Sequence, residues 1–195
     1  MSVFINSNPR TKIEDLREAF SGLHAGRLAI LAAISLGGYL LASALTLRLG
    51  FPLDDAWIHQ TYARNLALRG EWAFIPGMPS AGSTAPLWSF LLAGGHFLRL
   101  GPYLWAYLLG WLCLWGTGLA GAALIRLWAP AKAAWAPWVG AFLIFEWHLA
   151  WAAGSGMETL LFALLILVGL LLTSAERVRG LELGLLIGLA AWVRP

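Results

Sequence analysis

The amino-acid sequence predicts an all-α integral membrane protein, and three observations carry that prediction. Hydrophobic residues make up 59% of the 195 and charged residues only 12%, with a mean hydropathy of +0.72, far above that of a soluble domain. The apolar residues gather in runs at about 28–49, 102–128, 133–153, 156–175 and 181–193, and about 20 helical residues cross roughly 30 Å of hydrocarbon. Many of the 12 tryptophans fall near the ends of those runs, where an interfacial aromatic belt places them.

Residues 1–27 are polar and mixed in charge, and the stretch from Lys12 to Phe20 reads as a short helix on the membrane surface. The run 28–49 is the first span. "ASA" at 42–44 has the form of a cleavage site, but the polar region ahead of it is long and carries Glu14, Asp15 and Glu18, so an uncleaved span is expected. A loop region, 50–101, follows. It holds a helix from about Asp55 to Arg69 ended by Gly70, an irregular Gly-, Pro- and Ser-rich loop over 71–88, and an apolar patch at 86–98. As a helix that patch reaches only about 20 Å, too short to cross. Ile58, Tyr62 and Leu66 form one stripe, so the helix before it is expected to lie on the membrane surface. The region 102–195 supplies spans two to five. The last run stops at Pro195, barely inside the length of a crossing, and reads as part of a longer chain.

Charge sets the orientation. With five spans and a cytoplasmic N-terminus, Arg10, Lys12, Arg17, Arg27, Arg126, Lys132, Arg177 and Arg179 lie inside, 8 of the 13 cations. Arg48, Arg64, Arg69, Arg99 and Arg194 then lie outside, together with 50–101 and the turn at 153–157. Letting 86–98 cross would move the basic loops 126–132 and 176–179 outside, against the positive-inside rule. The net charge of +3 and pI near 9.4 belong to cations beside apolar runs, so the bilayer is the expected partner and nucleic acid is not. The single cysteine, Cys113, offers neither a disulfide framework nor a cysteine metal site. No HExxH, P-loop or dinucleotide-binding glycine pattern occurs. No pair of interrupted spans in matching halves points to a transporter.

"FPLDDAWIHQTYARNL" (51–66) places two acids at the edge of the first span. Asp54 is expected to cap the helix and Asp55 to sit in its first turn, favoured by the helix dipole. A cap explains one aspartate, and carboxylates at a membrane boundary are functional candidates. Asp55 and His59 stand at i,i+4, where the imidazole can orient the carboxylate. Asp54 and Asp55 are also candidate ligands for a divalent cation. In "GSGMET", Ser155 and Glu158 have the spacing of a capping box, while the topology returns Glu158 to the face that carries the aspartates. Glu146 and His148 fall inside the third run, and His148 is the nearer to its outer end. A carboxylate there must be protonated, paired or facing a cavity.

The ordered set "DDAWIHQTYARNLALRGEWAFIPG", "GSTAPLW" and "SGMETLLFALL" resembles the N-terminal part of GT-C glycosyltransferases. More narrowly, it is similar to a branch that includes mycobacterial arabinofuranosyltransferases and many bacterial relatives. The resemblance covers about 54–162. It implies transfer of a sugar from a polyprenyl-phosphate donor to an acceptor hydroxyl on the outer face of a bacterial plasma membrane. It implies that Asp54 and Asp55 lie near the reacting centre, one as base, with Glu158 as a supporting acid. Arg64 occupies the arginine of the family's RYAxNL block and is a candidate contact for the lipid phosphate. His59, Tyr62, Arg194 and His148 complete the candidate substrate-binding set. The sequence departs from the family at Ile75, Met78 and Ala85, where relatives have Asn, Glu and Ser. A non-catalytic membrane subunit packed with partner subunits is the alternative.

Overall fold

A computed structural model of the chain describes residues 17–21, 24–174 and 180–194. Most of the expected surface helix at 12–20, and the basic loop 176–179, lie outside the described residues. The described chain is nearly all helix: α1 (Ala25–Thr46), α2 (Asp54–Arg69), α3 (Pro86–Phe97), α4 (Pro102–Trp128), α5 (Ala136–Phe145), α6 (Trp147–Gly154), α7 (Thr159–Ser174) and α8 (Gly180–Val193). A 3₁₀ segment, Pro130–Trp135, leads into α5.

Among the described residues two helices, α1 with 22 residues and α4 with 27, are long and apolar enough to cross a membrane. α7 and α8 are shorter apolar helices of 16 and 14 residues. The third apolar run, expected to be one span, is broken. Glu146 adopts an extended conformation (φ −62°, ψ 125°) between α5 and α6, and its carboxylate accepts the Leu149 N–H. The break frees the Ile144 carbonyl, which the Ser35 hydroxyl of α1 takes up at 2.7 Å. A carboxylate that caps a helix from inside an apolar run thus ends one helix and starts the next.

The core is laid down by α1, α4, α5, α6 and α7 around Leu28, Leu36, Leu114, Ile144 and Leu160. Small residues let the backbones of neighbouring helices approach closely. A methyl on Gly140 would come within 2.8 Å of the Gly118 carbonyl. A second cluster lies under α2 and α3, where Phe51, Ala56, Ala63, Trp88, Leu92 and Ala106 pack together.

Between α2 and α3 the expected irregular loop contains a small antiparallel hairpin, Ala73–Ile75 with Met78–Pro79. Gly77 at its tip has φ 79°, a conformation that favours glycine. Asn65 closes the other side by donating to the carbonyls of Ala73 (2.8 Å) and Phe74 (3.1 Å). This hairpin reverses a second expectation. Tyr62 is fully buried on the hairpin side, where its hydroxyl meets Ser80 Oγ at 2.6 Å and accepts the Gly82 N–H at 2.7 Å. The Ile58–Tyr62–Leu66 stripe therefore packs on the chain itself at Tyr62 instead of lying open on a membrane surface.

Two capping assignments also change. Leu53 is the N-cap of α2 and makes no side-chain cap, while Asp54 Oδ1 accepts only the neighbouring Asp55 N–H at 3.0 Å. Ser155 does not cap α7. It follows α6, its hydroxyl donates back to Ala152 O, and its oxygen accepts the Met157 N–H. Glu158 stands immediately before α7, its carbonyl accepting the Phe162 N–H. Gly70, at φ 70°, ends α2 as the sequence indicates.

Candidate active site

Side chains on a helix advance about 100° per residue, so Asp55, His59 and Tyr62 share one face of α2. Asp54 and Arg64 each leave the helix about 140° away from His59. On the shared face His59 is 1% exposed, and it is the hub of a buried polar chain. Its Nδ1 lies 3.1 Å from Ser83 Oγ and 3.4 Å from Ser89 Oγ, and the two hydroxyls are 2.8 Å apart. Its Nε2 lies 3.5 Å from Glu158 Oε2. Neither of those two atoms has any other hydrogen-bond partner among the described residues, so each chiefly answers the charge or dipole of the other.

One proton arrangement satisfies every member. Ser89 donates to Ser83, Ser83 donates to Nδ1, and Nε2–H points at the carboxylate; the tautomer follows from this network. The Glu158 side is set by the turn Ser155–Glu158. Gly156 has φ 77°, and a methyl there would meet the Phe51 ring at 2.5 Å. Its carbonyl accepts Trp88 Nε1–H at 2.8 Å. The turn is thus clamped between the start of α2 and the start of α3, which aims Glu158 at His59.

Burial acts to raise the Glu158 carboxyl. The Nε2–H of His59, its own backbone N–H and the Arg194 charge outweigh that burial, and the group is held below its ordinary value. Arg194, just after α8, therefore joins the group through its charge. The structure brings His59 and Glu158 together from two separate parts of the chain.

The other candidates fall elsewhere. His59 turns to Glu158, not to Asp55 as the i,i+4 spacing suggests. Tyr62 anchors the loop and is closed to a substrate. Arg64 is exposed and lies beside His96, whose pKa is lowered by burial and by the Arg64 charge. That corner is held by His96 Nε2 to Gln60 Oε1 at 3.0 Å and by Gln60 Nε2 to Pro102 O at 3.4 Å. His148 is 83% exposed in its side chain and pairs with Glu146 at 2.7 Å. It stands at the far end of α6, about 12 Å from the Glu158 turn.

Asp54 and Asp55 are exposed, and neither forms an ion pair among the described residues. As metal ligands they fit poorly, because their side chains diverge by about 100°. No group of three His, Cys, Asp or Glu able to hold a metal occurs among the described residues.

Sequence reasoning missed Ser83, Ser89 and Asn65. Ser83 precedes α3 and Ser89 lies in its first turn; in "GSTAPLWS" a small hydroxyl before a proline reads as turn chemistry, and one just inside the helix carries no signal of its own. Only the arrival of His59 makes them part of a site. No family model, curated protein or solved structure matches the chain.

Proposed function

We propose that the chain is a membrane glycosyltransferase of the GT-C type, moving a sugar from a polyprenyl-phosphate donor to an acceptor hydroxyl on the outer face of a bacterial plasma membrane. One observation carries the reading. The buried pair of His59 and Glu158 joins the "DDAWIH" helix to the "SGMET" turn, two of the three blocks on which the resemblance rests.

In this reading the chain crosses the membrane five times from a cytoplasmic N-terminus, the broken α5–α6 run serving as the third crossing. α2, α3, the hairpin and the turn before α7 then lie together outside. Asp55 is the base. It leads the face of α2 that carries His59, and it is exposed where an acceptor can reach it. The acceptor hydroxyl forms a bond to the anomeric carbon and yields its proton to Asp55. The bond from that carbon to the phosphate oxygen breaks, and the electron pair leaves with the lipid phosphate. Arg48, which precedes α2, and Arg194, whose charge reaches Glu158, are the cations this reading assigns to that phosphate. Glu158, kept ionised, holds His59 and with it the hairpin loop that covers this face. No step needs a metal ion.

The test is transfer from radiolabelled polyprenyl-phosphate sugars by membranes carrying the protein. Asp55→Asn should lower transfer by about 10²-fold or more with normal membrane insertion, and full activity in that variant rules the reading out. A second reading, a non-catalytic subunit of a membrane complex, is supported by the closure of His59 and Glu158, at 1% and 4% exposure. It predicts that Asp55→Asn leaves assembly with partner subunits and every transfer activity unchanged.

A further inference from the structure

Glu146 and His148 take no part in the site around His59. Ser35, halfway along the 22-residue α1, donates to the Ile144 carbonyl beside the Glu146 break. With α1 across a bilayer, the break lies at mid-depth, about 15 Å from either end of that helix. There a carboxylate and an imidazole face outward: the side chain of His148 is 83% exposed and that of Glu146 30%. Ionisable groups at such depth are costly, and they face a bundle interior, a water-filled cavity or one another.

The pair answers only part of that demand. His148 Nδ1 lies 2.7 Å from Glu146 Oε1, and Oε2 accepts the Leu149 N–H. Nδ1 is then the donor, and among the described residues Nε2 meets nothing. Trp147 does not cover it, because that ring turns to Tyr39 of α1, centroid to centroid at 5.8 Å, and His148 leaves the helix about 100° away. Before the break Trp138, Phe142 and Phe145 stand at i, i+4 and i+7 on α5, all exposed. They form one apolar stripe that runs up to the pair.

A carboxylate bonded to an imidazolium has no net charge, but it sets an acceptor beside a donor. The complement of that arrangement is the same arrangement turned round. A two-fold axis supplies it, since an isologous interface sets residue i against residue j and j against i. We propose that the α5–α6 break is the contact between two copies of the chain within the membrane, His148 Nε2–H of each copy donating to Glu146 of the other. Two carboxylates and two imidazolium rings then close a circuit in which every exposed N–H has a charged acceptor. The α5 stripe supplies the apolar surround. This contact requires a chain that crosses a bilayer and is independent of sugar transfer.

The test is the oligomeric state of the whole chain. Light scattering in detergent should give two copies per particle, and Phe145→Cys should form a disulfide-linked dimer in membranes. Glu146→Gln, which keeps an acceptor for the Leu149 N–H, and His148→Gln should each weaken association by about tenfold or more, with helical content unchanged. Mixing these two variants should restore much of the association, because one His148–Glu146 bond re-forms between unlike copies; a folding defect is not rescued this way. A particle with one copy and no crosslink overturns the proposal. So does a dimer indifferent to both variants, or a weakened one that mixing does not restore.

Discussion

His59 Nε2 lies 3.5 Å from Glu158 Oε2, and both atoms are sealed from solvent with no other hydrogen-bond partner among the described residues. α2 and the turn before α7 are far apart in sequence, and this contact joins them, while Trp88 on Gly156 O ties the same turn to α3. Truncating one partner strands the other. We predict that Glu158→Ala and His59→Ala each destabilise the protein by about 1–3 kcal/mol. The double variant should fall short of their sum by about 0.5–3 kcal/mol, the signature of a direct interaction. Thermal unfolding in detergent measures all three.

The Glu158 carboxyl is held below its ordinary value of 4.5. A depressed carboxyl stabilises the fold at pH values above its unfolded pKa and loses that contribution as pH falls through the folded one. Stability from this group should therefore be constant at neutral pH and decline below about pH 4.5. Glu158→Gln should flatten that part of the profile in a melting series from pH 7 to pH 3, and an unchanged acid limb would refute the assignment.

Gly156 and Gly77 both have positive φ, 77° and 79°. They differ in surroundings: a methyl on Gly156 strikes the Phe51 ring, while nothing lies within 4 Å of one on Gly77. Gly77→Ala should cost about 1–2 kcal/mol for the left-handed conformation alone. Gly156→Ala should cost clearly more, because the turn must also yield. Equal losses in melting temperature would show that Phe51 does not clamp the turn.

Tyr62 holds the hairpin through Ser80 Oγ and the Gly82 N–H. Tyr62→Phe removes both contacts and keeps the ring packing against Trp72. The expected loss is about 1–3 kcal/mol, confined to residues 73–83. Amide exchange should speed there and stay unchanged in α4 and α7.

Ser35→Ala leaves the Ile144 carbonyl without its partner where the third apolar run breaks. Hydrogen bonds between helices at such depth are worth about 0.6–1.7 kcal/mol. The variant should melt lower by that amount, and a stability equal to the parent's would mean that the break supplies its own partner.

The helical class was legible from apolar runs alone, because a chain with 12% charged residues has little else to cover its backbone. The end of α2 was legible too, since Gly70 reports a local backbone preference. Glu146 misled for the opposite reason. Hydropathy averages over a window, where one carboxylate is diluted by its apolar neighbours, yet its oxygen captured a backbone N–H and split the helix. His59 misled because spacing along α2 names every neighbour one turn away and none from another segment.

By itself the sequence determined the apolar helices, the acids at the edge of the first of them, and the order of motif blocks, all properties of contiguous residues. Tertiary structure alone decided that His59 faces Glu158, that Ser83 and Ser89 feed the imidazole, and that Tyr62 is closed off by the hairpin. Those outcomes depend on which buried polar atoms meet across segments. A buried donor or acceptor must find its partner wherever packing has placed one, and no periodicity within a single helix encodes that meeting.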